Sequence, residues 1–137
     1  PDTLNLHLLM EADCQQTAEA ISCHQTIASR GVFSVAMLAE FQPSIEEHGA
    51  WFYPRLFWET GLVGQVLYLE AEAAGARGTG IGCFFDDAMH EILGINNTVL
   101  QSMYHFTVGT AEKDMRLVSL PPYGHLQTSA SLDNDHQ

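Results

Sequence analysis

The apolar and polar positions of the chain fall into runs of different period. Residues 4–10 (Leu-Asn-Leu-His-Leu-Leu-Met) alternate at first and then turn wholly apolar, which predicts a strand that becomes buried. Asp13, with Gln16 three residues on, has the spacing of a capping box. The helix it opens runs through Ala18 and Ile21 to about Ala28 and ends near Gly31. Val32 to Leu38 reads as a second strand, and residues 42–49, with Pro43 and Gly49, as a surface loop. A long helix then spans about Ala50 to Ala74, with Pro54 in its first turn, where a backbone N–H has no intrahelical partner to lose. Trp51, Phe52, Leu56, Phe57, Leu62, Val66, Leu67 and Leu69 cover nearly every face of that helix. Such a helix is buried on all sides or lies in an oligomer interface. Gly61 and Gly64 inside it each cost about 1 kcal/mol of helix propensity. A cost of that kind marks close packing on the backbone, by another helix or by a ligand.

Gly75 reads as the left-handed cap of the long helix. Asp86 caps a short helix to about Leu93 that Gly94 closes, and Gln101 to Val108 forms a third strand. From Gly109 the chain becomes irregular, with Pro121 and Pro122. Residues 1–126 read as the folded portion and 127–137 as a polar, disordered tail.

Composition narrows the function classes. The 137 residues suit one domain, and 46% apolar against 16% charged residues is a globular balance. Five Lys and Arg stand against 17 Asp and Glu, a net charge of −12, which repels nucleic-acid phosphates and anionic membrane surfaces alike. The apolar stretch 51–74 is broken by Pro54, Arg55, Glu59, Gln65, Glu70 and Glu72, so it reads as a core helix and not a membrane span. Cysteines occur at 14, 23 and 83, an odd number without C-x-x-C spacing. That predicts neither a disulfide framework nor a zinc ribbon, and points to a reducing, cytoplasmic compartment. The opening Pro1-Asp2-Thr3 lacks the positive start and apolar run of a secretory signal.

Candidate chemistry centres on Gly75, Gly78, Gly80 and Gly82. Glycines let a backbone approach a flat or phosphorylated ligand and present its N–H groups. This cluster follows a helix and lacks the G-x-G-x-x-G order, so it is neither a dinucleotide fingerprint nor a P-loop. It reads as a binding turn or simply a helix-to-strand turn. His90-Glu91 begins like H-E-x-x-H, but Gly94 stands where the second ligand belongs, and no metal site is predicted. Asp86 and Asp87 read as a cap and a first-turn charge. Ser34, Ser102 and Ser119 lie in no G-x-S-x-G elbow. Cys83, beside the glycines, is either a nucleophile or, more commonly for such a thiol, buried and inert. Arg116 and Lys113 hold two of the five cations within four positions. They could grip an anionic ligand or pair with Glu112 and Asp114.

Three stretches taken in order carry a resemblance. They are Gly61-Leu-Val-Gly through Gly78-Thr-Gly-Ile-Gly-Cys-Phe-Phe-Asp-Asp87, His90-Glu-Ile-Leu-Gly94, and Tyr104-His-Phe-Thr-Val-Gly109. Together they resemble the C-terminal half of flavin-dependent nitroreductases. Ser22-Cys-His-Gln-Thr-Ile-Ala28 and Met37-Leu-Ala-Glu-Phe41 look like the subgroup akin to azoline-oxidising peptide dehydrogenases. The resemblance covers about residues 4–126. It implies an α+β fold with a mixed sheet and a long central helix, a homodimer through that helix, and FMN at the interface. It implies backbone contacts to the flavin ring from Gly80, Ile81, Gly82 and Cys83, and phosphate contacts from Arg116 and, second, Lys113. The implied activity is ping-pong hydride transfer through flavin N5, to a small-molecule or peptide substrate. No catalytic side chain is assigned. The family's arginine- and serine-rich FMN-binding segment has no counterpart before Leu4, so the chain is expected to be the C-terminal portion of such a domain. The alternative is a non-enzymatic dimerisation or interaction domain that keeps the fold without the cofactor.

Overall fold

Residues 100–109 become the middle of a sheet, with the long helix packed on one face and a short helix on the other. The computed structural model describes residues 6–112 and 114–127. Its elements are α1 (Gln15–Ile21), α2 (Thr26–Arg30), β1 (Phe33–Glu40), α3 (Phe41–His48), a 3-10 turn (Ala50–Phe52), α4 (Tyr53–Ala73), β2 (Arg77–Ile81), α5 (Asp86–Leu93), β3 (Leu100–Gly109) and α6 (Gly124–Gln127). The strand order is β1-β3-β2, and β3 pairs antiparallel with both neighbours. This is an α+β fold with one long helix against a sheet. A bulge falls where Met37 opposes Tyr104 but Leu38 opposes Ser102, which leaves Met103 as the extra residue of β3.

The central strand is covered on both sides, so Ser102, Met103 and the whole run His105–Val108 are buried. On one face Phe106 and Val108 pack with Ala71 and Leu67 of α4, and the Tyr68 ring meets Phe106 edge-on at 4.7 Å. Gly64 explains itself here. A Cβ on it would lie 2.8 Å from the Tyr104 ring, so the missing side chain admits a strand residue, where a helix or a ligand was the expectation. On the other face α2 is tied to the sheet by the Ser34 hydroxyl, which donates to the Ala28 carbonyl at 2.8 Å.

The long helix begins with Pro54 in its first turn and ends at Gly75, whose φ of +73° is the left-handed cap. Its burial differs from the expectation. Leu56, Thr60, Gly64 and Ala71 are buried, but Trp58, Leu62, Val66 and Leu69 remain exposed. One stripe meets the sheet, and nothing among the described residues covers the opposite face.

Four further expectations are corrected. Residues 6–10 form no strand. Leu6 and Leu8 are 86% and 80% exposed, because an apolar run becomes a strand only where a neighbour accepts its backbone bonds. Leu4 lies outside the described residues. The helix expected over 13–28 is two helices, broken at Cys23 and His24, whose φ of +52° and +57° lie in the left-handed region that non-glycine residues avoid. Asp13 does cap locally, accepting the Gln15 N–H at 3.0 Å, although the N-cap position itself is Cys14. The loop expected over 42–49 is α3. Pro43 sits at its third position, where no N–H is required, and Gly49 ends it with φ +86°. Half of the glycine cluster is strand, with Gly78 and Gly80 inside β2. Lys113 and the tail beyond residue 127 lie outside the described residues. Among the described residues no helix is long and apolar enough to cross a membrane.

Candidate functional site

Arg77 to Ile81 pairs with β3 as far as Ile81 opposite His105, and then the chain leaves the sheet. Before that point Gly80 is pinned. Its N–H donates to the Tyr68 hydroxyl at 2.7 Å, and a Cβ on it would run into the Tyr104 hydroxyl. Ile81 is buried at 2% exposure and turns its side chain toward the α1 side of the sheet. Gly82 stands free, with nothing within 4 Å of a Cβ placed on it. Among the described residues no acceptor meets the backbone N–H groups of Gly82, Cys83 and Phe84. Two of these residues, Gly82 and Phe84, line an open cavity of about 370 Å³ together with Tyr53, Phe57, Tyr104, Asp86 and Gln101. A concave space walled by rings and edged by backbone donors suits a flat, acceptor-bearing ligand.

The turn is fastened from behind. Cys83 is joined to Cys23 by a disulfide across 60 residues, with Cα atoms 5.9 Å apart. The Gln25 amide donates to the Cys83 carbonyl at 3.0 Å and to the Ser22 carbonyl at 2.8 Å, and the Phe85 N–H donates to the Ile21 carbonyl at 2.8 Å. The expectation of no disulfide is therefore overturned, as is that of a buried Cys83, which is exposed. Spacing along the chain carries no record of which loops meet in space, and the free thiol is the exposed Cys14. Cys23, Gln25 and Phe84 were missed as site residues. The unpaired cysteine count was the signal for the first, and nothing local marks the other two.

Phe84 stacks on His105, with centroids 4.2 Å apart and planes 8° from parallel. His105 shares a 3.0 Å hydrogen bond with the Ser102 hydroxyl, and both residues are 3% exposed. Burial lowers the His105 pKa below its ordinary 6.5. The sign follows directly. The unfolded chain takes a proton as pH falls through 6.5 while the folded imidazole resists it, so stability is lost as pH falls and the loss ends below the folded pKa. Urea unfolding from about pH 7.5 to about pH 5 should show falling stability, and His105→Gln should flatten that slope. An equal slope in both proteins would show that other groups carry it.

The sequence-predicted residues are only partly gathered. Gly80 and Ile81 end β2 and Gly82 and Cys83 begin the turn, whereas Arg116 lies on the segment after β3 and holds Asp114 in a two-pronged fork. Its Nε and Nη2 donate to the carboxylate at 2.9 and 2.7 Å. That pairing holds the Asp114 carboxyl below its ordinary range and raises Arg116. Asp86 is no N-cap but a first-turn residue of α5. It accepts from the Gln101 amide at 2.8 Å, and Gly94 closes the helix at φ +69°. His90 accepts the Ser102 N–H at 3.0 Å.

Comparison with known proteins bears on this geometry. Residues 9–110 match the family model described as the nitroreductase family. No curated protein sequence matches the chain. Among solved structures, a protein from Anabaena variabilis provisionally named a nitroreductase is similar at 25% identity and a TM-score of 0.68, covering 74% of this chain and 20% of its own. A provisionally named oxidoreductase from Bacteroides fragilis follows at 17% identity and a TM-score of 0.58, covering 84% of this chain and 52% of its own. A provisionally named NAD(P)H:FMN oxidoreductase from Staphylococcus epidermidis has 14% identity and a TM-score of 0.56, covering 82% and 69%. The chain thus spans about a fifth of the first of these proteins and about half of the second.

Proposed function

This chain belongs to the nitroreductase family, and we propose on that premise that it serves an FMN-dependent oxidoreductase, contributing the backbone side of the flavin site. The observation that carries the reading is the run of unpartnered N–H groups at Gly82, Cys83 and Phe84, of which Gly82 and Phe84 line a cavity that also has the rings of Tyr53, Phe57 and Tyr104. Bound there, FMN would supply hydride transfer through its N5 in a ping-pong cycle. The chain's own part is positional. Gly80 and Ile81 anchor the turn in the sheet, and Gly82 leaves room for close approach. The N–H groups of Gly82 and Cys83 would donate to ring acceptors, and the rings of Tyr53, Phe57 and Tyr104 would keep water from one side of the cavity.

Arg116 is proposed as the phosphate contact, seconded by Lys113, which lies outside the described residues. A phosphate would have to displace Asp114 from the guanidinium fork, an exchange of one anion for a more highly charged one. The exposed apolar stripe of α4, with Trp58, Leu62, Val66 and Leu69, is proposed as the homodimer contact. The substrate is proposed as a small molecule or peptide, with the azoline-oxidising subgroup as the finer assignment, and the compartment as the cytoplasm.

The test is flavin uptake by the purified chain. The expected result is a visible flavin spectrum after incubation with FMN and gel filtration. Gly82→Val should block uptake, and Arg116→Ala should weaken FMN affinity about tenfold. A colourless protein that takes up no FMN overturns the cofactor reading for this chain. The Asp114-satisfied Arg116 favours a second reading in that case, a dimerisation domain without cofactor. Light scattering that finds a monomer would remove it as well.

A further inference from the structure

We propose that Cys23 and Cys83 form a reversible dithiol–disulfide couple whose oxidised state clamps the Gly82–Phe85 turn to the connection between α1 and α2. The two cysteines are 60 residues apart in sequence, and their Cα atoms stand 5.9 Å apart, inside the usual disulfide span. Cys83 is an exposed residue, while Cys23 is half-buried. Disulfides that a reductant can reach are the labile ones, whereas structural bridges are shielded from exchange.

Two features make the couple reversible. The Gln25 amide holds the Cys83 carbonyl and the Phe85 N–H holds the Ile21 carbonyl, so both segments stay tethered when the S–S bond is open. The released thiols therefore remain neighbours and can close again. Cys23 and His24 also occupy consecutive left-handed conformations, which disfavour side-chain-bearing residues and persist where surrounding contacts impose them. The bond through Cys23 is one such contact. Opening it removes one of three ties between this connection and the turn, so both loosen while the two hydrogen bonds keep them adjacent.

The chemistry is thiol–disulfide exchange with a dithiol reductant. A reductant thiolate attacks Sγ of Cys83, the S–S bond breaks, and Cys23 leaves as a thiolate that takes a proton from water. The second reductant thiol attacks the mixed disulfide, closes its own disulfide and releases the Cys83 thiolate. Two electrons pass to the protein and the reductant is oxidised to its disulfide. A small disulfide such as oxidised glutathione reverses both steps.

The consequence for function rests on the flavin reading given above. The clamped turn carries the N–H groups proposed to meet the flavin, so the oxidised and reduced chains should differ in FMN affinity. The experiment is run on the full chain. Alkylation of the air-oxidised protein under denaturing conditions should label Cys14 alone and leave a Cys23–Cys83 cross-linked peptide. Dithiothreitol should expose all three thiols, and oxidised glutathione should restore the cross-link. Amide hydrogen exchange at Phe85, whose N–H is bonded to the Ile21 carbonyl, should rise about tenfold on reduction while residues 103–108 stay protected. Cys14→Ser should behave as the native chain, and Cys83→Ser should match the reduced chain in both conditions. If that variant fails to fold, the reduced native chain supplies the comparison. Three free thiols in the oxidised protein, a cross-link that does not re-form, or unchanged exchange at Phe85 would each overturn the proposal. FMN binding is measured in parallel by flavin fluorescence. Equal affinity in the two states removes the coupling to the cofactor. No binding in either state sinks the flavin reading and leaves the couple to be judged on thiols and exchange.

Discussion

Phe106→Ala should lower the free energy of unfolding by about 3–5 kcal/mol, the upper range for a buried aromatic truncated in place. Phe106 is fully buried at the centre of β3, between the Tyr68 ring and the core residue Ala71 of α4. Its ring tip also fills the space over Gly78. A Cβ on that glycine would come within 2.6 Å of Phe106 Cζ. The walls of the resulting void are strand backbone and a helix already seated on the sheet, so little collapse can refill it, and the cavity penalty adds to the lost transfer energy. Phe106→Leu, which keeps most of the volume, should cost under about 2 kcal/mol. Urea unfolding gives both values. A loss below about 1 kcal/mol for the alanine variant would mean that β3 is not the load-carrying centre of the core.

The parts of this fold that were legible in the sequence are those written in local chemistry. β3 declared itself as a run of β-branched and aromatic residues and α5 by a charged first turn. α4 was marked by Pro54 at its start and Gly75 past its end. The illegible parts are held by contacts distant in sequence. The break between α1 and α2 depends on left-handed Cys23 and His24, anchored to a turn 60 residues away. α3 was hidden because Pro43 suggests a loop unless it falls in a first turn. Its start is fixed by Phe41 and Gln42 N–H groups donating to Val99 and Thr98 carbonyls. The candidate site shows the same division. Glycine density drew attention to residues 78–82, but it could not say which glycines serve packing and which leave open space. That answer depends on Tyr104 and Phe106 in the next strand: Gly78 and Gly80 face those rings, and Gly82 faces nothing. Only the third has the freedom that a ligand-facing residue needs.

The same division yields a test of large expected effect. Gly80→Ala should destabilise the protein by about 2–3 kcal/mol, because the new methyl meets the Tyr104 hydroxyl and the ring cannot retreat. Tyr104 is fixed from a second side, since its ring edge also fills the gap at Gly64 on α4. Relief of the clash therefore has to come from β2, whose N–H at Gly80 is held by the Tyr68 hydroxyl. Moving β2 outward breaks that bond and shifts the turn that follows it. The cost should depend on its cause: in a Tyr104→Ala background the added methyl has room, and Gly80→Ala should cost under about 0.5 kcal/mol there. Gly64→Ala should show the same dependence on Tyr104 with a smaller penalty, since it meets ring carbon at 2.8 Å. Unfolding of the four proteins of the Gly80–Tyr104 cycle measures the coupling. Equal costs in both backgrounds would mean that Gly80 is required for its backbone alone. A coupling of about 2 kcal/mol would establish Tyr104 as the side chain that sets where β2 ends. It would then also set where the Gly82–Phe84 donors point, so flavin uptake by Gly80→Ala should fall together with stability. Gly82→Val, facing open space, should reduce uptake while leaving the unfolding midpoint nearly unchanged.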